Sequence, residues 1–310
     1  MMDTVAPVSR RRIPRGLFGA LVAFLFLPFP SICLTAPLAG CLILARPRGL
    51  REWSWLAAAI ALSVLGFTAA SSLAQEVFFA YGVAFTGSFL ALRIWRPGPV
   101  LARATVAAVD TAALAAIGAW ALGLRWDVVR SELESEFQSA VTMVTSGAVM
   151  PGAQMDQLRE TMAAMAAVYP GIAILGAIAG GVLASTIAWH ITDGRTGPEP
   201  QPFRTFSFND HLVWGAILNL TLVLLPLPAP FSEFVANSMM IWLGLYVARG
   251  AAIAAFTAGL WPTPLKVSLA LAAVLLLPYA LGGLLLLGLA DTWLDFRRAP
   301  PPPTQGANDD

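Results

Sequence analysis

The residues after Glu233 read FVANSMMIWLGLYVARGAAIAAFTAGL, an apolar run that reaches Leu260 and carries a single charge, Arg249. A helix needs about 20 such residues to cross the hydrocarbon core of a bilayer, so this run can span with some tilt. An arginine inside it is costly to insert, which predicts a partner for Arg249 within the fold. Comparable apolar runs recur as far as Leu289. Only 12% of the 310 residues are charged and 57% are hydrophobic, against about 25% charged in a soluble domain. The chain is therefore expected to be all-α, a polytopic integral membrane helix bundle of about 8–10 spans, with one membrane domain over 16–298.

The spans are expected near 16–45, 53–73, 76–94, 104–124, 169–192, 211–228, 233–260 and 265–290. Residues 16–45 read as a pair of short helices broken at Leu27-Pro28-Phe29-Pro30, because proline removes a backbone donor. The basic Arg10–Arg15 stretch before LFGALVAFLFL, with Leu38-Ala-Gly-Cys41 behind it, also allows a secretory leader with a lipoprotein-type cleavage box. Pro28, Pro30, Pro37 and the many later spans favour the helix pair. Most of the 19 Lys and Arg fall on one side if 16–45 is a hairpin, which puts the N-terminus and the 194–210 loop in the cytoplasm. The side of the C-terminus stays open: one span over 265–290 leaves Arg297 and Arg298 outside, and a break at Pro278 brings them in.

Residues 125–168 are the one long polar segment. Val129, Leu133, Phe137, Val141 and Val144 recur at helical spacing, as do Met155, Leu158, Met162, Met165 and Tyr169. They predict an extracytoplasmic helical hairpin hinged at Pro151-Gly152, either mobile over the bundle or simply packed on it. Residues 1–15 form a basic tail. The proline-rich tail 299–310 has the composition of a disordered segment.

Chemistry-bearing patterns are few. The sequence has no GxxxxGK[ST], HExxH or GxSxG, and no GxGxxG after a strand, so nucleotide hydrolysis and the common hydrolytic mechanisms lack their parts. No cofactor or metal is expected, and a non-enzymatic protein is the reading. His190 and Asp193 share a helix face, but with two histidines in all they read as an interfacial pair. Cys33 and Cys41 read as packing residues. The net charge of +1 argues against a nucleic-acid partner; the lipid bilayer is the expected one.

Asp110 lies seven residues into its span and Arg249 about nine from the inner end of its own. Their depths agree within about 3 Å at 1.5 Å per residue, so Asp110 is the expected partner of Arg249. Asn219 and Asn237 are candidate ligand-binding neighbours for a small molecule held in the bundle. Gly176 and Gly180 form a GxxxG, and Gly16, Gly19, Ala20 and Ala23 give the first helix a small face. Either could dock a membrane-protein partner.

Four stretches together resemble the YybS-like family of bacterial membrane proteins: LPFP with a helix ending in Ala45-Arg46-Pro47-Arg48-Gly49; Phe203-Arg204-Thr205-Phe206-Ser207-Phe208; Arg249-Gly250; and the ending Leu287–Arg298 with Asp291, Asp295 and Arg297. That family is in turn similar to the substrate-binding S components of energy-coupling factor transporters and to the cell-shape protein MreD. The resemblance implies an S-component-like core in a bacterial cytoplasmic membrane, with small-molecule binding in a transport-related role or, alternatively, an MreD-like scaffold. S components dock their coupling partner through Ala-x-x-x-Ala on the first helix; this chain has Gly16-x-x-x-Ala20 and Gly19-x-x-x-Ala23.

Overall fold

A computed structural model describes residues 14–26, 29–68, 70–96, 98–145, 152–229 and 231–297. They form eleven α-helices: α1 (Arg15–Phe26), α2 (Ile32–Leu44), α3 (Leu50–Thr68), α4 (Leu73–Trp95), α5 (Val100–Ala121), α6 (Trp126–Thr145), α7 (Gly152–Ile191), α8 (Val213–Val223), α9 (Phe231–Thr257), α10 (Thr263–Leu275) and α11 (Leu277–Leu294). No strand occurs among the described residues. Six helices, α3, α4, α5, α7, α9 and α11, are long and apolar enough to cross a membrane; α2, α10 and the stretch Asp210–Val223 are shorter and apolar. The chain is thus an all-α, multi-pass membrane protein. The proposed tails fall almost wholly outside the described residues, as do Pro28 and Pro151 of the two proposed breaks. The chain divides into two compact units, Met1–Pro200 and Gln201–Asp310.

In the first unit α2 is the buried centre. Its residues from Ile32 to Leu42 are almost all inaccessible, and thirteen residues make only about 20 Å of helix, too short to span. Pro37 sits inside α2 and supplies no N–H to the carbonyl of Cys33, which is left without its helical donor. The same carbonyl lies against α7 at Gly180, where an added Cβ would meet the backbone of Cys33 and, at 3.1 Å, the amide of Leu34. Gly176 similarly admits the ring of Phe29 at 3.0 Å. The GxxxG face of α7 is therefore occupied within the chain, which corrects its reading as a surface for a partner. Between helices in lipid, such close approach replaces the missing hydrophobic drive. Gly180→Ala is expected to lower the thermal midpoint of the detergent-solubilised protein, at a cost of about 1–3 kcal/mol for overpacking. Gly87→Ala, where nothing lies within 4 Å of an added Cβ, should stay within about 0.5 kcal/mol of wild type. Equal midpoints for the two variants would contradict the α2–α7 contact.

Outward-facing apolar residues on α3, such as Val64, Leu65 and Phe67, are exposed, as the bilayer requires. Arg195, in the turn after α7, donates to the carbonyls of Ala45 at 2.8 Å and Arg46 at 3.1 Å and pairs with Glu52. It thereby satisfies backbone acceptors at the C-terminal end of α2.

The polar segment departs from expectation. Its second arm is no separate helix: α7 runs unbroken from Gly152 through Pro170 to Ile191. Its first arm, α6, buries Val129 and Leu133, sets Phe137 against Tyr169 at 5.8 Å, and places acidic side chains on the N-terminus of α4. Glu132 accepts from the amide of Ala74 at 3.0 Å, and Glu136 accepts from the Ser72 hydroxyl. Carboxylates at a helix N-terminus satisfy orphan donors and the dipole together. These contacts make α6 a packed part of the unit, the second of the two readings.

In the second unit α9 is the axis. Asn219 of α8 donates to the carbonyl of Val235 at 3.1 Å, and Gly215 lies against Trp242, so α8 runs antiparallel to the first half of α9. Gly288 lies against the carbonyl of Tyr246 and Gly250 against that of Leu284, so α11 runs antiparallel to the second half. Of the two readings left open for 265–290, the break near Pro278 is the one present: Leu276 leaves helical geometry between α10 and α11, and Pro278 occupies the first turn of α11, where its missing N–H costs nothing.

Candidate functional site

Tyr246-x-x-Arg249-Gly250 on α9 faces Gly288-x-x-Asp291 on α11. Residues three apart share a helix face, so each helix presents a small residue for close approach beside a charged one. Arg249 is 4% exposed and Asp291 is 3% exposed. The Arg249 Nε donates to Asp291 Oδ2 at 2.8 Å and its Nη2 to the Asp291 carbonyl at 3.3 Å. Asp291 also accepts from Arg297 Nη2 at 2.9 Å and from the amide of Phe296 at 3.1 Å. Three donors on one buried carboxylate offset its desolvation.

Arg297 reaches further. Its Nη1 donates to the carbonyls of Phe206 at 2.9 Å and Arg204 at 3.4 Å, fastening the aromatic segment to the end of α11. Along that segment Phe203 stacks on Phe206, which in turn meets Phe208 edge-on. The guanidinium of Arg249 lies 5.3 Å from the centroid of the Phe208 ring, a cation–π distance, and Phe208 meets Tyr246 edge-on at 5.2 Å. The hydroxyls of Tyr246 and Thr292 are buried beside the cluster and face each other, with no well-angled hydrogen bond to any described group. A C-terminal helix end favours cations, and Arg249 and Arg297 gather at that end of α11.

A second carboxylate comes from the segment itself. Asp210 Oδ1 stands 2.8 Å from Arg249 Nη1, at an angle too poor for a directed hydrogen bond. Asp210 is 60% exposed, whereas Asp291 is 2% exposed by the same side-chain measure. Two cations and two anions balance. The cluster can hold an anion on Arg249, and it lacks a nucleophile paired with a base.

Several expected roles change. Arg249 takes its carboxylates from Asp291 and Asp210 rather than from Asp110, which belongs to the first unit and is exposed there. Asn219 is buried but spent on the Val235 carbonyl. Asn237 is half-buried, and its amide donates to the Glu233 carbonyl one turn back at 2.9 Å. Capping of the turn at His211 falls to Asn209, whose side chain accepts from the His211 amide at 3.0 Å, and Asp210 is thereby free to reach Arg249. Asp295 ends α11 in the left-handed region at φ 42, a conformation aspartate tolerates. Gly16, Gly19 and Ala20 on α1 are exposed, and the side chain of Ala23 lies outside the described residues. Sequence reading missed Asp210, Tyr246 and Gly288. The paired spacings Tyr246-x-x-Arg249 and Gly288-x-x-Asp291 carried the signal.

Comparison with curated proteins and comparison with solved structures each return no match. A family described as Predicted membrane protein (DUF2232) matches residues 18–292, a stretch that runs from α1 through Arg249 to Asp291, and the chain belongs to that family.

Proposed function

We propose that this protein is a non-enzymatic component of a bacterial cytoplasmic membrane that binds a small anionic molecule at Arg249, with the segment Phe203–Leu212 as its cover. The observation that carries this reading is the inequality of the two carboxylates on one guanidinium. Asp291 is buried and held by three donors, while Asp210 is exposed, opens the short 3-10 turn Asp210–Leu212 and meets Arg249 through a single ion pair. Asp210 is 60% exposed and returns to water when displaced, so a ligand carboxylate or phosphate can replace it more readily than it can replace the buried Asp291. The neutral balance of the cluster is then restored by the ligand. The likeness to YybS-like proteins and S components supports a transport-related role, with any energy source on another chain.

Native mass spectrometry of protein purified in mild detergent tests this. Wild type is expected to retain a small anion, and Asp210→Asn to retain up to about fivefold more, the scale of a lost exposed competitor. Arg249→Gln is expected to lose it. No retained anion in either wild type or Asp210→Asn would overturn the reading. A second reading, an MreD-like scaffold, is favoured by α1, where an added Cβ at Gly16 or Gly19 meets nothing within 4 Å. A stoichiometric protein partner in the same spectra, without ligand, would support it.

A further inference from the structure

In the first unit a second basic cluster has no carboxylate paired with it among the described residues. Arg93, near the C-terminus of α4, donates Nη1 to the Ser185 hydroxyl at 3.1 Å and to Cys41 Sγ at 3.4 Å, and Nη2 to the carbonyl of Thr196. All three acceptors are neutral. Arg103 lies within electrostatic range of both Arg93 and Cys41, and its Nε is buried without a hydrogen-bond partner. Among the described residues no carboxylate pairs with either arginine. Glu52, at the start of α3, is already occupied by Arg195 and the Arg48 amide.

Arg103 is also placed against the local field. It stands in the first turns of α5, which carry no acidic residue, and a cation at a helix N-terminus is disfavoured by the macrodipole. The Thr196 hydroxyl, on the residue whose carbonyl takes Arg93, is another buried polar atom without a partner. Two guanidinium groups without a carboxylate, an unpartnered Nε and an unpartnered hydroxyl each leave capacity that a multidentate anion takes up.

We propose that Arg93 and Arg103, with Thr196 and the first turn of α5, form a site for a phosphate group, separate from the Arg249 cluster. Phosphate fits because Arg103 presents forked donors to its oxygens, and Arg93, whose Nη1 and Nη2 rest on neutral acceptors only, adds positive charge beside it. The source is either the phosphodiester of an anionic lipid or free phosphate, and the site lies at the ends of two membrane-spanning helices, where headgroups are found.

Protein stripped of lipid in mild detergent is mixed with phosphatidylglycerol, with phosphatidylcholine or with inorganic phosphate, and its thermal midpoint is measured. Wild type is expected to gain more from phosphatidylglycerol or from inorganic phosphate than from phosphatidylcholine, and the gain should fall with added salt. A response to phosphatidylglycerol alone identifies the lipid as source; a response to inorganic phosphate identifies the free anion. Arg103→Gln should need about tenfold more ligand for the same gain, the scale of one charge-assisted hydrogen bond, and Arg103→Lys should keep part of it. If Arg103→Gln does not fold, Arg103→Lys and wild type decide. Equal gains from phosphatidylglycerol and phosphatidylcholine with no response to phosphate, or an unchanged response in the variants, would overturn the site.

Discussion

Gly288→Ala and Gly250→Ala are each expected to prevent α11 from seating on α9, with a loss above about 3 kcal/mol, beyond the usual range for overpacking. At Gly250 an added Cβ would fall on the Leu284 carbonyl group, 2.7 Å from its carbon, and 3.1 Å from the Gly288 amide. At Gly288 it would fall on the Tyr246 carbonyl and 2.9 Å from the Gly250 amide. Both obstacles are backbone. A side chain can rotate away, but backbone moves only with its helix, so the two axes must separate. Separation also stretches Arg249 from Asp291, and the loss of packing and of the ion pair come together. Fluorescence-detected size exclusion of detergent extracts, after a temperature series, measures the effect. Gly282→Ala and Gly283→Ala, on α11 with nothing within 4 Å, should melt like wild type. A Gly288→Ala midpoint equal to theirs would mean that α9 and α11 do not meet there.

Much of the fold was legible because a bilayer leaves few options. Every spanning segment must satisfy its own backbone, so apolar length alone implied helices. Arg249 stood out for the same reason, as a charge in a medium that penalises it. Its partner was not legible. Depth matching assumed straight spans counted from fixed ends, which selected Asp110 over Asp291. Burial is decided by what packs over a position. Gly288 lets α11 press on α9, and Arg297 with the Phe203–Phe208 segment closes over Asp291, so a residue four from the end of its helix becomes one of the least exposed charges in the chain. For the hairpin a mobile and a packed reading stood side by side, and Glu132 and Glu136, spent on the end of α4, favour the packed one. Pattern reports which residues are polar, and packing decides whether water or backbone receives them.

Truncating either member of the Arg249–Asp291 pair is expected to cost about 3–5 kcal/mol, because a buried charge is stranded when its partner is removed. The two losses should not be equal. Arg249→Ala leaves Asp291 with Arg297 and the Phe296 amide, whereas Asp291→Ala leaves Arg249 with only the exposed Asp210 and releases Arg297 as well. Asp291→Ala is therefore the worse single change. Arg249→Met with Asp291→Leu removes both charges and keeps apolar bulk, and should fall short of the summed single losses by about 1–3 kcal/mol of coupling. Asp210→Ala should cost no more than about 1 kcal/mol, as an exposed pair does, and Asp110→Ala should stay within about 0.5 kcal/mol. Thermal midpoints in detergent give all of these on one scale. A double variant whose loss equals the sum of the singles would show that the two side chains do not share one site. A large loss for Asp110→Ala would return that residue to the role its depth suggested. With coupling between Arg249 and Asp291 and near-indifference to Asp210, the guanidinium keeps one fixed anion and one replaceable one, which is the asymmetry that ligand binding at Arg249 requires.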